Sequence, residues 1–260
     1  MPARPIALNR ARILVTNDDG ISAQGLKVLA RVARQLSADV WVVAPEVEQS
    51  ATSHSLTVRT PLRLRKLGPR RFAVNGTPTD CVLIAVGQIM ADRLPDLVLS
   101  GINHGGNLAE DISHSGTVAA AIQATVMGIR GIAFSQITQP EHPAKWATAE
   151  HYAPVIIRKL AAHPARADVV FNVNFPDRVQ GAVTGIEVAR QGRRRQIERN
   201  TEAFDPFGRP YYWIGSPRKE GAGRGNSDIE VTARGAVAVT PLNLDLTDRA
   251  VARDLAGVFP

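Results

Sequence analysis

Short apolar runs separated by stretches with helical spacing constrain this chain more than any other feature. Strands are predicted at Arg12–Asn17, at Asp39–Ala44 ("DVWVVA"), at the brief Arg71–Val74, at Asp96–Ser100 ("DLVLS"), at Gly131–Ser135 ("GIAFS") and at Asp168–Pro176 ("DVVFNVNFP"). Between them, Leu26, Leu29, Ala30, Ala33 and Leu36 recur at helical spacing within Ser22–Ser37, the signature of an amphipathic helix. Further helices are predicted after "NGTPTD", with Thr77 or Thr79 as N-cap and Pro78 near the start, and at Gly116–Gly128 and Ala144–Ala162. Near-continuous apolar strands suit a parallel sheet covered on both faces. Their alternation with helices gives an α/β, Rossmann-like fold: a mostly parallel sheet between two helical layers. The whole of residues 1–260 reads as a single α/β domain.

In such sheets ligands bind outside the carboxyl ends of the strands. Three polar clusters follow three of the predicted strands: "NDDG", "PEVEQSATSHS" and "SGINHGGN". If the fold is as read, all three open on one edge. Asp18 and Asp19 are adjacent, and Gly20 permits a bend that lets both aim at one point. Two carboxylates so close repel, and one is pushed toward its neutral form unless a cation intervenes. The alternative is that they merely cap the next helix. The second loop supplies hydroxyls at Ser50, Thr52, Ser53 and Ser55. The third leads through "DISHSGTVAAA" into a helix. Ser115, Gly116 and Thr117 stand where a helix N-terminus would cradle a phosphate, although Ser113 or Ser115 also suits a plain N-cap. Carboxylate, amide and hydroxyl oxygens together fit one hard cation per subunit, Mg²⁺ or Mn²⁺, with Ca²⁺ also compatible.

Composition narrows the setting. A net charge of +7 over 260 residues favours anionic partners. No apolar run approaches membrane-spanning length, and the first eleven residues lack a secretory signal's apolar core, so no membrane is expected. With Cys81 as the only cysteine, no internal disulfide can form and a cytoplasmic location is expected. There is no "GxxxxGK[ST]" and no "GxGxxG" after the first strand, so nucleoside-triphosphatase and dinucleotide readings lack their fingerprints.

The segments "ILVTNDDGISAQG", "VVAPEVEQSA", "VNGTPTDCV", "LVLSGINHGGN" and "SGTVAAA" together resemble the SurE family, the stationary-phase survival nucleotidases. "DPFGRPYYWIG" and "VAVTPLNLDLT" resemble its C-terminal half. The resemblance implies a metal-dependent 5′-nucleotidase acting on nucleoside 5′- and 3′-monophosphates, with an extended arm for a homodimer or homotetramer. It implies metal ligands at Asp18, Asp19, Ser50 and Asn103, with the aspartates also catalytic, and phosphate-side positions at Asn107, Ser115, Gly116 and Thr117. The chain departs from the family pattern twice. Ala51 replaces a usual glycine, which would strain the loop if φ there is positive, and His114 replaces a usual tyrosine.

The stretch from about 190 to 225 is rich in Arg, Gly and Pro without a helical period. "RPYYWIG" has strand-like content, so a hairpin arm is expected, with Tyr211–Trp213 at a subunit interface. "RQGRRR" reads as a solvated basic stretch, though it could grip nucleic acid, and short oligonucleotide ends are a further candidate partner. His54 and His104 read as bystanders and Cys81 as a packing residue. Two functions are open: a nucleoside-monophosphate phosphatase, or a non-catalytic nucleotide- or nucleic-acid-binding module.

Overall fold

The computed structural model describes residues 4–140, 142–194, 200–214 and 225–259. Its strands are β1 (Arg12–Thr16), β2 (Asp39–Pro45), β3 (Leu64–Gly68), β4 (Arg71–Val74), β5 (Leu97–His104), β6 (Arg130–Gln136), β7 (Val169–Phe175), β8 (Ile186–Val188), β9 (Thr201–Phe204), β10 (Pro210–Trp213) and β11 (Val237–Asn243). The helices are α1 (Gln24–Arg34), α2 (Pro78–Ile84), α3 (Asp111–His114), α4 (Gly116–Val126), α5 (Trp146–Ala162), α6 (Asp228–Ala233) and α7 (Arg249–Ala256). Among the described residues, no helix is long and apolar enough to cross a membrane.

Nine strands form one sheet in the order β3-β4-β2-β1-β5-β6-β7-β11-β8. The central pairings are parallel, while β3 and β11 run antiparallel to β4 and β7. The α/β expectation therefore holds. Side chains alternate across each strand, and the core divides accordingly. Ile13, Val15, Val42 and Leu99 join α1 and α5 on one face. Leu14, Val43 and Val98 join α2 and α4 on the other. From β1 the chain builds outward through β2 and β4, then returns to place β5, β6 and β7 on the opposite side. The direction reverses between β1 and β5, and a crevice opens there at the strands' carboxyl ends.

Several boundaries differ from expectation for local reasons. The second predicted helix is N-capped at Thr77, not Thr79, by a capping box with Asp80, and passes into a π-helical turn at Ala85–Ile89. The "DLVLS" strand does not stop at Ser100. The β5–β6 register shifts between Ser100 and Asn103, and pairing resumes at Asn103 and His104. The bend lies at Gly101, whose φ is +125°. A Cβ there would come within 2.3 Å of the Phe134 carbonyl oxygen, so only glycine fits. Asn103 thus sits on a strand end, not in a free loop. Unanticipated were β3, β8, β11, α3, α6 and α7; β3 and β8 are the two edge strands, whereas β11 pairs on both sides, with β7 and β8.

The expected hairpin is present as β9–β10, separate from the main sheet, with Tyr211 opposite Ala203 and Trp213 opposite Thr201. Tyr211, Tyr212 and Trp213 are 43%, 60% and 64% exposed. Parts of the expected arm, 195–199 and 215–224, lie outside the described residues. The reading of "RQGRRR" as a solvated stretch needs correction at Arg194; its last residue, Arg195, lies outside the described residues. The Arg194 side chain is only 14% exposed and pairs with Asp111 at 2.9 Å.

Helix α1 carries Gly25 in its first turn, where alanine would normally be favoured by about 1 kcal/mol. Here a Cβ would lie 1.8 Å from the Ile102 carbonyl oxygen and 3.1 Å from the Trp146 ring. Gly25→Ala should therefore destabilise the protein by about 1–3 kcal/mol despite its better helix propensity. A urea melt showing the variant as stable as the parent, or more so, would contradict the close approach of α1 to β5.

Candidate functional site

Three loops meet at the β1–β5 crevice, and each is hydrogen-bonded to the other two. The Gln49 N–H donates to the Asp18 carbonyl at 2.8 Å and the Ile21 N–H to the Pro45 carbonyl at 2.7 Å, joining the first loop to the second. The Ser53 N–H reaches the His114 carbonyl at 3.0 Å, and its hydroxyl reaches the Ser113 carbonyl at 2.7 Å, joining the second to the third. The Thr117 hydroxyl donates to the Asp18 carboxylate, and the His104 N–H donates to Asp19 at 3.1 Å, joining the first to the third. The expectation that the polar clusters open on one edge is met.

Asp18 is 4% exposed. Burial is the main cause that pushes its carboxyl up to about 6; the Thr117 hydrogen bond opposes the shift, and the neighbouring Asp19 charge adds to it. Asp19 is half-buried and also raised, again chiefly by burial, with the His104 N–H and ring opposing. Among the described residues neither aspartate has a Lys or Arg ion-pair partner, unlike the partly exposed Asp39, Asp177 and Asp111. Nor do the aspartates act as the cap of α1. The N-cap there is Ala23, without a side-chain bond.

Gly116 shows how closely α4 approaches. A Cβ on it would stand 2.9 Å from the Asp18 Cβ and 3.0 Å from the Pro78 side chain. The first turn of this 11-residue helix therefore lies directly over Asp18. Ser115 is its N-cap and accepts the Val118 N–H at 3.1 Å. Thr117 is fully buried and turns its hydroxyl toward Asp18, not outward to the crevice.

The remaining expected residues stand nearby with other bonds. Ser50 is exposed and its hydroxyl donates to Glu48 at 2.7 Å. The Asn103 amide nitrogen donates to the Gly105 carbonyl at 3.0 Å, which leaves its Oδ1 outside that bond. Neither bonds to an aspartate. Each is, however, chain-adjacent to a residue that does, Gln49 and His104, and consecutive Cα atoms are only about 3.8 Å apart. Asn107 is buried; its amide donates to the Ser135 hydroxyl at 2.8 Å and its N–H to Asn174 Oδ1 at 2.8 Å. Asn172 and Asn174 both donate to its carbonyl. These two asparagines, fully buried in β7, were missed in the sequence. Their signal was polar residues at alternate positions of an otherwise apolar strand, "FNVNF".

Ala51 has φ of +58°, and Ser53 in the same loop has +54°. The condition under which Ala51 strains the loop is thus met. His54 is occupied by Gln123 at 2.9 Å. The His104 ring lies 6.0 Å from that of Trp146. His114 is exposed beside α4.

Comparison with known proteins follows the same lines. A family model described as Survival protein SurE matches residues 13–198. A protein of Paramagnetospirillum magneticum named 5′-nucleotidase SurE is 56% identical over 238 residues, covering 92% of each chain. One of Rhodospirillum rubrum with the same name is 52% identical over 255 residues, covering 97% of each. The crystal structure of the SurE protein from Aquifex aeolicus matches with a TM-score of 0.84 at 37% identity, covering 95% of this chain and 98% of that one. The sheet order, the "NDDG" crevice and these matches lead to one conclusion: this chain belongs to the SurE family.

Proposed function

We propose that this protein is a divalent-metal-dependent 5′-nucleotidase that hydrolyses nucleoside 5′-monophosphates, and also 3′-monophosphates, to nucleoside and inorganic phosphate. The observation that carries this reading is the Asp18–Asp19 pair: adjacent, largely withdrawn from water, without a Lys or Arg ion-pair partner among the described residues, and beside the first turn of α4. The names of the relatives supply the substrate class.

The residues present fit a metal. A buried and a half-buried carboxylate side by side, both with raised pKa, call for positive charge, and no lysine or arginine among the described residues supplies it. Among the described residues, no three of His, Cys, Asp and Glu gather as a metal cluster. A site here must therefore be completed by neutral oxygens, and Ser50 and Asn103 offer a hydroxyl and an amide. Such an all-oxygen set suits Mg²⁺ or Mn²⁺, and Ca²⁺ also.

When bound, the cation would neutralise phosphoryl oxygens and lower the pKa of a water near phosphorus. Asp18 and Asp19 would hold it, and the Thr117 hydroxyl fixes the Asp18 carboxylate in one orientation. The start of α4, at Ser115, Gly116 and Thr117, turns the positive end of its dipole toward the same point, which favours a phosphate dianion. Asn107, held from behind by β6 and β7, keeps its turn in place beside it. A phosphodiester has one charge fewer and a second substituent, so it should fit this cradle less well. We assign the reaction to the cytoplasm, consistent with the buried free thiol of Cys81, and the protein to a homodimer or homotetramer.

Phosphate release from AMP, GMP, 3′-AMP and a cyclic nucleotide, with Mn²⁺ or Mg²⁺ and then with chelator, tests the reading. The monophosphates should be cleaved, the cyclic diester poorly, and chelator should abolish turnover. Asp18→Asn and Asp19→Asn should each lower turnover by at least about 100-fold. Metal-independent turnover would remove the metal from the mechanism. A protein that binds AMP tightly but never releases phosphate would instead be the non-catalytic binding module.

The Ala51 loop gives a second expectation. A Cβ in the left-handed region costs about 1–2 kcal/mol, of which glycine's greater unfolded-chain freedom offsets about 0.4–1 kcal/mol. Ala51→Gly should therefore stabilise the protein by up to roughly 1 kcal/mol and tighten Mn²⁺ binding measured by calorimetry. A lower melting temperature with unchanged affinity would show the loop to be unstrained.

The exposed aromatic hairpin gives a third. Deleting residues 200–214 should leave Mn²⁺ binding intact and convert the oligomer to monomer on size-exclusion chromatography. Elution at the original size would move the interface elsewhere.

A further inference from the structure

The turn that follows Asn107 is held by a residue from the far end of the sequence. Asp228, the first residue of α6, is fully buried. Its Oδ2 accepts the Ala109 N–H at 2.9 Å, and its Oδ1 accepts the Gly192 N–H at 2.9 Å and the Ile229 N–H at 2.8 Å. Ala109 is a buried non-glycine residue with φ of +52°, a conformation that persists only when its surroundings enforce it. Gly192 is the complementary case: a Cβ there would meet Asp228 Oδ1 at 2.6 Å.

The neighbouring bonds run between the same two segments. Gln191 donates to the Ala109 carbonyl at 2.9 Å, and Arg194 donates to the Leu108 carbonyl at 2.8 Å. The Arg194 N–H is shared by the two Glu110 carboxylate oxygens at 3.0 Å. Every residue from Leu108 to Asp111 is thereby tied to 190–194 or to Asp228. The turn so fixed runs from Asn107, through α3, directly into the Ser115 cap of α4. The segment 190–194 is where the hairpin arm leaves the main body.

We infer that Asp228 is a positioning residue for the phosphate side of the site: one buried carboxylate, bonded at once to Ala109 and to Gly192, sets the turn between Asn107 and α4 and fastens it to the root of the arm. This deepens the nucleotidase reading and rests on it. The chemistry requires a carboxylate, because both partners are backbone donors. An asparagine would present only one acceptor and would turn its NH₂ toward the other N–H.

Asp228→Asn and, from the arm side, Gly192→Ala test this in the full chain. Two readouts are taken: amide hydrogen exchange, and Mn²⁺-supported phosphate release from AMP. Both variants should raise exchange at Ala109 and Gly192 together. Asp228→Asn should lower kcat by about 10- to 100-fold, the scale of a small misplacement near the chemistry. Adding Ala109→Gly, which tolerates positive φ without help, should restore part of the loss. Unchanged protection at Ala109, or faster exchange with parental kcat, overturns the proposal. So does a loss that Ala109→Gly leaves untouched, since the damage would then be to α6 alone. If the parent protein itself releases no phosphate, the nucleotidase reading fails, while the exchange pattern still decides whether the latch exists.

Discussion

The hydrogen bond from the Thr117 hydroxyl to the Asp18 carboxylate joins the end of the first strand to the start of the fourth helix. Asp18 has left water almost entirely, and a carboxylate in that position is costly unless it is hydrogen-bonded and neutralised. The hydrogen bonds are present. The neutralising charge does not come from an arginine or lysine of the described chain. That imbalance is what organises the crevice: the helix dipole of α4, the Gly116 contact and the neighbouring loops all converge on one underneutralised anion.

Holding such a site open requires rigid support, and the fold supplies it from both sides. On one side, Ser135, Asn172 and Asn174 form a buried polar shelf at the carboxyl ends of β6 and β7 that grips the Asn107 backbone and amide. On the other, the second loop is drawn over the first by Gln49 and onto the third by Ser53. The loop accepts left-handed backbone at Ala51 and Ser53 to do so. Strain concentrated in the loops beside the candidate site is the expected division between a scaffold and the loops it carries.

Glycines mark where elements come too close for a side chain. Gly25 admits the Ile102 carbonyl against α1, Gly101 the Phe134 carbonyl against β5, and Gly116 the Asp18 side chain against α4. Each removes a methyl group at a point where helix or strand must approach the crevice, so the three together set its dimensions.

The parallel sheet was legible in the sequence because burial on both faces demands near-continuous apolar strands, and "RILV", "DVWVVA" and "DLVLS" have that pattern. The "NDDG" pair and the Ser115–Thr117 helix start were legible because adjacent carboxylates and a glycine-rich helix entrance are unusual chemistry in short windows. The extension of β5 to Asn103, the shelf of Asn172 and Asn174, and the inward turn of Thr117 were not. Each depends on a partner 32 to 99 residues away, and local periodicity carries no information about such pairings. Arg194 illustrates the same limit: the arginine-rich stretch around it reads as solvent-facing until the fold brings Asp111 and the Leu108 carbonyl beneath it. Sequence alone named the candidate residues and determined which layer architecture holds them. Tertiary structure decided which way each side chain faces, because hydrogen bonds between distant segments choose one rotamer and one register from the several that local sequence allows.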